Sequence, residues 1–194
     1  MTAPEFSEFT YGFALTYELV NMSGLPLRFA PVIPSLIREG STGGGYDVEI
    51  PIGPSVALFL QFKTCQRIIR GRKNTREVQD GMGTPFLRLP LRKERSYAQH
   101  DQLLRLETAG GYVAYVAPAF ADLATLNDSF FTRTTATKSI WVRPSEIPPA
   151  FDRRRSHWLS FTATTPYVWS FYSHSPSEEA TATLEPSPKY WRAL

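Results

Sequence analysis

Gly43-Gly44-Gly45-Tyr46-Asp47-Val48-Glu49-Ile50-Pro51-Ile52-Gly53-Pro54-Ser55-Val56-Ala57-Leu58-Phe59-Leu60-Gln61-Phe62-Lys63 reads as two strands joined by a turn. Strand side chains alternate with a period of two, so Tyr46, Val48 and Ile50 are expected on one face and Asp47 and Glu49 on the other. By the same rule Val56, Leu58, Leu60 and Phe62 share a face, and Ala57, Phe59, Gln61 and Lys63 the opposite one. The Gly and Pro in Ile52-Gly53-Pro54-Ser55 predict an antiparallel hairpin that brings Asp47 near Gln61. Polar groups closing an apolar strand are costly unless satisfied, which suits a ligand-facing role for Gln61 and Lys63. A strand surfacing into solvent gives the same pattern, so the alternation leaves both readings open.

The 194 residues are enough for one domain with a real core. With 42% hydrophobic and 20% charged residues, the composition is that of an ordinary globule. No apolar run reaches the ~18 residues of a spanning helix. Met1-Thr2-Ala3-Pro4-Glu5 has no basic stretch followed by an apolar one, so the expectation is a cytoplasmic chain with no membrane partner. A single cysteine, Cys65, rules out an internal disulfide and a cysteine-rich zinc site. His100, His157 and His174 are spread widely and read as structural or surface residues.

The net charge of +3 is unevenly placed. Residues 63–95 carry ten basic side chains against three acidic ones, leaving the rest of the chain acidic. Arg67, Arg70, Arg72 and Lys73 follow Lys63 closely, where a polyanion would be drawn by phosphate contacts and counterion release. A solvated basic loop is the ordinary alternative, and it applies equally to Arg153-Arg154-Arg155.

Residues 4–22 predict an amphipathic helix with Phe6, Phe9, Phe13, Tyr17 and Val20 as its buried stripe and Glu18 at the stripe's edge. Pro26, Pro31 and Pro34 end it. Residues 67–85 read as a mobile polar loop, and Phe86–Leu91 as a third, edge-like strand tolerant of Pro90. A helix over 96–108 is expected, capped by Ser96 and stopped at Gly110-Gly111, then a buried strand over 112–117. A helix near 121–132 and strands near 138–143, 156–162 and 167–173 would extend or cover the sheet. Trp141, Trp158, Trp169 and Tyr172 fit core roles. Residues 1–174 form a single domain in this reading. The Ser/Pro/Glu/Thr-rich stretch 175–194 reads as a flexible tail.

The α/β order helix, three-strand meander, helix, strand, with Gly45-Tyr46-Asp47 at the second strand and Gln61-Phe62-Lys63 closing the third, resembles the PD-(D/E)xK nuclease superfamily. It looks most like the Mrr-type branch, in which Gln replaces the usual Glu. Pro34–Lys63 also resembles uncharacterised bacterial proteins that couple Gly-Tyr-Asp to Gln-Phe-Lys. The resemblance covers roughly residues 5–118 and implies a restriction-endonuclease-like core with C-terminal strand additions.

By that resemblance Asp47 and Gln61 are the ligands of Mg²⁺ or Mn²⁺, since such ions take one or two carboxylates with waters and substrate phosphate. Lys63 is then the residue that orients water and offsets phosphorane charge. Glu18 is chosen as the carboxylate of the first helix, with Glu8 and Glu39 as alternatives. The implied activity is endonucleolytic hydrolysis of DNA, with RNA not excluded, in defence against phage. The implied partners are a second copy of the chain or a defence-system protein. Two departures weigh on it: Tyr46 stands where the superfamily has Pro, and Gln61 brings no charge. Glu49 is a candidate for the missing charge. A catalytically silent copy of the fold, binding nucleic acid or protein, is the competing reading.

Overall fold

The computed structural model describes residues 2–22, 27, 29–34, 45–53, 56–70, 75–91, 95–147, 157–164, 168–173 and 181–183. Glu39, Arg72, Lys73, Arg153-Arg154-Arg155 and His174 lie outside them. The chain is mixed α/β, with two sheets and four α-helices among the described residues.

Helix α1 (Glu8–Val20) starts at Ser7, whose hydroxyl accepts from the Thr10 N–H and satisfies one of the open donors of the first turn. Strands β1 (Val48–Pro51) and β2 (Ala57–Phe62) form the antiparallel hairpin expected from the opening stretch, with Val48 opposite Leu60 and Ile50 opposite Leu58. Helix α3 (Arg95–Thr108) crosses over to β5 (Tyr112–Pro118), which lies parallel to β2. Strand β6 (Ser139–Val142) closes this sheet antiparallel to β5, giving the order β1-β2-β5-β6. Upstream of β1, Val32 bridges antiparallel to Glu49.

Between β2 and α3 the chain leaves for a second, antiparallel sheet. Its strands are β3 (Gln66–Ile68), β4 (Phe86–Leu91), β7 (His157–Phe161), β8 (Val168–Ser173) and β9 (Thr181–Thr183), in that order across the sheet. Phe86–Leu91 is thus neither an edge nor part of the first sheet: it sits between β3 and β7. Pro90 is accommodated opposite Trp158. Within the stretch expected as a tail, Thr181–Thr183 pairs with β8.

Two cores follow from the alternation. Val48, Ile50, Leu58, Leu60, Phe62 and Val116 face α1 and α4 (Leu123–Thr132). Val113, Tyr115, Ala117, Ile140 and Val142 face Leu103 of α3 and the apolar side of the second sheet, including Leu89, Leu159, Phe161, Trp169 and Phe171. Full burial of each such side chain stabilises the fold by about 1.5–3 kcal/mol relative to exposure.

Four expectations change here. The buried face of α1 is Tyr11, Ala14, Leu15, Glu18 and Leu19, whereas Phe9, Phe13 and Tyr17 are exposed. Both stripes have helical spacing, and Gly12 decides between them: a Cβ there would meet the Phe62 ring at 2.4 Å, so this is the face that approaches the sheet. Tyr46 precedes β1 and leaves its alternation, packing edge-on against Phe59 at 4.9 Å between ring centroids, on the opposite side from Val48. The 67–85 stretch takes in the end of β3 and a short helix, α2 (Arg76–Gln79), held by the buried Glu77. Glu77 Oε1 accepts from the Arg88 guanidinium at 2.7 Å, Trp158 Nε1 at 2.7 Å and Ser160 Oγ at 2.8 Å. Helix α3 begins at Arg95, so Ser96 lies inside it, and it ends before Gly110 at φ +91°.

Candidate functional site

Backbone pairing places the first two candidate residues. The Asp47 N–H donates to the Leu60 carbonyl at 2.8 Å, and the Lys63 N–H to the Val116 carbonyl at 2.9 Å, so both residues prolong ladders just beyond their strands. They meet at the carboxyl end of the parallel pair β2 and β5, where open α/β sheets generally bind ligands. Gly45 makes the approach feasible. Its φ is +101°, and a Cβ there would lie 3.0 Å from Gln102 Cβ and 3.1 Å from the Gln99 carbonyl, so the segment feeding Asp47 runs hard against α3.

Asp47 Oδ2 accepts from Gln61 Nε2 at 2.7 Å and from the Phe62 N–H at 2.6 Å. Gln61 is only 2% exposed, and its carbonyl Oε1 accepts from Gln99 Nε2 at 2.7 Å. The amide therefore presents its NH₂ to Asp47 and its oxygen to α3. Oriented this way, Gln61 is a donor that holds Asp47, and a ligand role beside Asp47 requires the Gln61 and Gln99 amides to turn over together.

Lys63 Nζ lies 3.8 Å from Glu8 Oε2, at the start of α1. Glu8 and Asp47 line one cavity of about 280 Å³, together with Phe9, Gly12, Phe13 and Phe62. Asp47, Gln61 and Lys63 are thus brought to one region, with Glu8, an alternative first-helix carboxylate, beside them. Glu18, the preferred choice, is elsewhere. It is buried between α1 and the turn before β6, where Oε2 accepts from the Thr135 N–H at 2.7 Å and the Ala136 N–H at 3.2 Å. Nearly three helical turns separate it from Glu8, and its carboxylate is occupied satisfying backbone donors. Glu49 accepts from the Tyr46 hydroxyl at 3.0 Å and is not among the residues lining the cavity.

The basic residues divide. Arg67, exposed on β3, has its backbone paired with Thr2 and lines a different cavity of about 190 Å³ alongside Asp122. Asp122, the N-cap of α4, has a lowered pKa, first through its hydrogen bond from Thr125 and in smaller part through Arg67. Arg70 is exposed just past β3. Cys65 is fully buried, and burial pushes its thiol up, which makes it an inert core residue. His100 is buried against Tyr115, ring nitrogen to hydroxyl 3.1 Å, and burial lowers its pKa.

Two carboxylates on one cavity match the oxygen donors that Mg²⁺ takes alongside water and phosphate. Among the described residues no three His, Cys, Asp or Glu side chains stand together as a metal-holding group. Sequence reading missed Gln99 and Phe9. Gln99 carries no motif, and the helical spacing of Phe9 points to the core. No helix among the described residues is long and apolar enough to cross a membrane. Comparison with protein-family models, curated proteins and solved structures gives no match.

Proposed function

We propose that this chain is a divalent-metal-dependent phosphodiesterase acting on nucleic acid, an endonuclease of the PD-(D/E)xK type whose working residues are Asp47, Lys63 and Glu8. The observation that carries the reading is the convergence of Asp47, Gln61 and Lys63 at one end of the β1–β2 hairpin, with Glu8 on the same cavity. The sheet order supports it as well: a hairpin bearing the acid and the Gln-x-Lys strand, a helical crossover, and a parallel neighbour to that strand.

Asp47 and Glu8 would hold Mg²⁺ or Mn²⁺, and Gln61 with the Phe62 N–H fixes the Asp47 carboxylate in place. A bound ion supplies Lewis acidity at a phosphate oxygen and a template for in-line attack. Lys63 Nζ offers three donors to the non-bridging oxygens as negative charge grows on them, and orients the attacking water. Glu8 holds that ammonium, 3.8 Å away, in the absence of substrate.

Incubation of the full chain with plasmid and single-stranded DNA, with Mg²⁺, Mn²⁺ or chelator, tests this. Cleavage should need the ion and fall by at least about a hundredfold in Asp47→Ala and in Lys63→Ala, the scale of losing a transition-state contact. Variants that cut as well as the parent would remove the assignment. A second reading, a silent nuclease fold that binds nucleic acid, is favoured by one observation: the Gln61 NH₂ points at Asp47. It predicts salt-dependent binding without cleavage in any divalent ion.

A further inference from the structure

Helix α1 turns three of its four aromatic residues outward beside the candidate site. Phe9 is 76% exposed, Phe13 60% and Tyr17 40%. They stand at i, i+4 and i+8, one above the other at about 6 Å per step along the axis. Phe13 and Tyr17 are stacked with centroids 6.4 Å apart and planes at 23°, and Phe130 of α4 flanks the pair, 6.4 Å from Phe13 and 5.2 Å from Tyr17. Rings left in water to this extent contribute little to the core, and the polar end of the row makes an apolar partner a poor match. Phe9 and Phe13 line the same cavity as Asp47 and Glu8, and Glu8 Oε2 lies 3.8 Å from Lys63 Nζ.

We propose that Phe9, Phe13 and Tyr17 form a base-stacking track that binds single-stranded nucleic acid and leads its backbone to Asp47 and Lys63. The proposal rests on the phosphodiesterase reading for the direction of the strand, and it adds the form of the substrate. Three features select this occupant. The row ends at an ammonium and two carboxylates, which suit a phosphodiester with its metal ion and not an apolar peptide. The exposed groups are flat rings, and every base has a π-face to lay on them. A step of about 6 Å between rings is comparable to the repeat of a stretched single strand, whereas bases paired inside a duplex cannot reach a side wall without flipping out.

The test is binding of a fluorescein-labelled 15-nucleotide single strand and of the corresponding duplex, read by anisotropy. It uses the full chain with Ca²⁺ in place of Mg²⁺. The parent should prefer the single strand by at least about tenfold. The double variant Phe9→Ala/Phe13→Ala, at exposed positions that leave the core intact, should bind the single strand at least about tenfold more weakly. Phe9→Trp/Phe13→Trp should keep the affinity, and Phe9→Leu/Phe13→Leu should not. Equal binding by the Ala variant overturns the track, as does rescue by Leu, which would mark a merely apolar patch. So does a parent dimer that the Ala variant dissolves with nucleic-acid binding unchanged. Since the readout needs no turnover, a chain that stacks single strands without cutting them sinks the hydrolytic reading alone. A chain that cuts through Asp47 but binds normally after the Ala changes sinks the track alone.

Discussion

At the scale of single residues, the amide of Gln61 is the point on which the proposed metal binding turns. It donates to Asp47 Oδ2 and accepts from Gln99, so a carboxylate in its place would lose the donor and set two like charges side by side. Gln61→Glu without divalent ions is therefore expected to lower stability by about 1–3 kcal/mol, measured by thermal melting. Excess Mg²⁺ or Mn²⁺ should then raise its melting temperature by more than it raises the parent's, because the added charge strengthens a site that only the folded chain possesses. Equal shifts in both proteins would mean that position 61 does not face the ion. Asp47, Gln61 and Lys63 were legible in the sequence because strand period and turn chemistry are local. Gln99 was not, since nothing within one helix signals that its amide meets another 38 positions away. Glu18 misled for a related reason. A carboxylate on a buried helix edge serves equally well as a metal ligand or as an acceptor for backbone donors, and the donors here come from residues 135 and 136.

Elements were read well where one local rule sufficed and poorly where two faces competed. The β1–β2 hairpin follows from alternation and a Gly-Pro turn. Helix α1 offered an aromatic stripe and an aliphatic one, and hydrophobicity alone ranks the aromatic stripe as core. Close approach of α1 to Phe62 through Gly12 selects the other. Gly12→Ala should consequently destabilise the chain by about 1–3 kcal/mol in urea unfolding, despite a helix-propensity gain of about 1 kcal/mol, because the new methyl meets the Phe62 ring. A neutral or stabilising result would mean that α1 stands farther from the sheet.

Across the whole molecule, the second sheet is tied to the basic segment by one buried acid. Glu77 receives donors from Arg88, Trp158 and Ser160, joining α2 to β4 and β7. Burial alone would raise its pKa, but hydrogen bonds from its own backbone N–H, Ser160, Trp158 and Arg88 outweigh that and lower it from the ordinary 4.5. The unfolded carboxyl thus takes up its proton at higher pH than the folded one. The stability Glu77 contributes is present above about 4.5 and is lost as pH falls through the lower folded value. Glu77→Ala should cost about 3–5 kcal/mol at neutral pH by leaving Arg88 without its partner. Chemical unfolding at a series of pH values should also find a shallower loss below 4.5 in the variant than in the parent. Parallel acid profiles would show that Glu77 binds its proton equally well in the folded and unfolded chain.

By itself the sequence determined the hairpin, the buried strand that follows α3, and the nearness of Asp47 to Gln61, because each depends on side-chain period and turn residues within a short span. Only the tertiary structure decided that Phe86–Leu91 belongs to a second sheet, which face of α1 is buried, and that Glu8 rather than Glu18 stands by Lys63. Those outcomes are settled by contacts between segments distant in the chain, where several faces of equal local merit compete and close packing admits one.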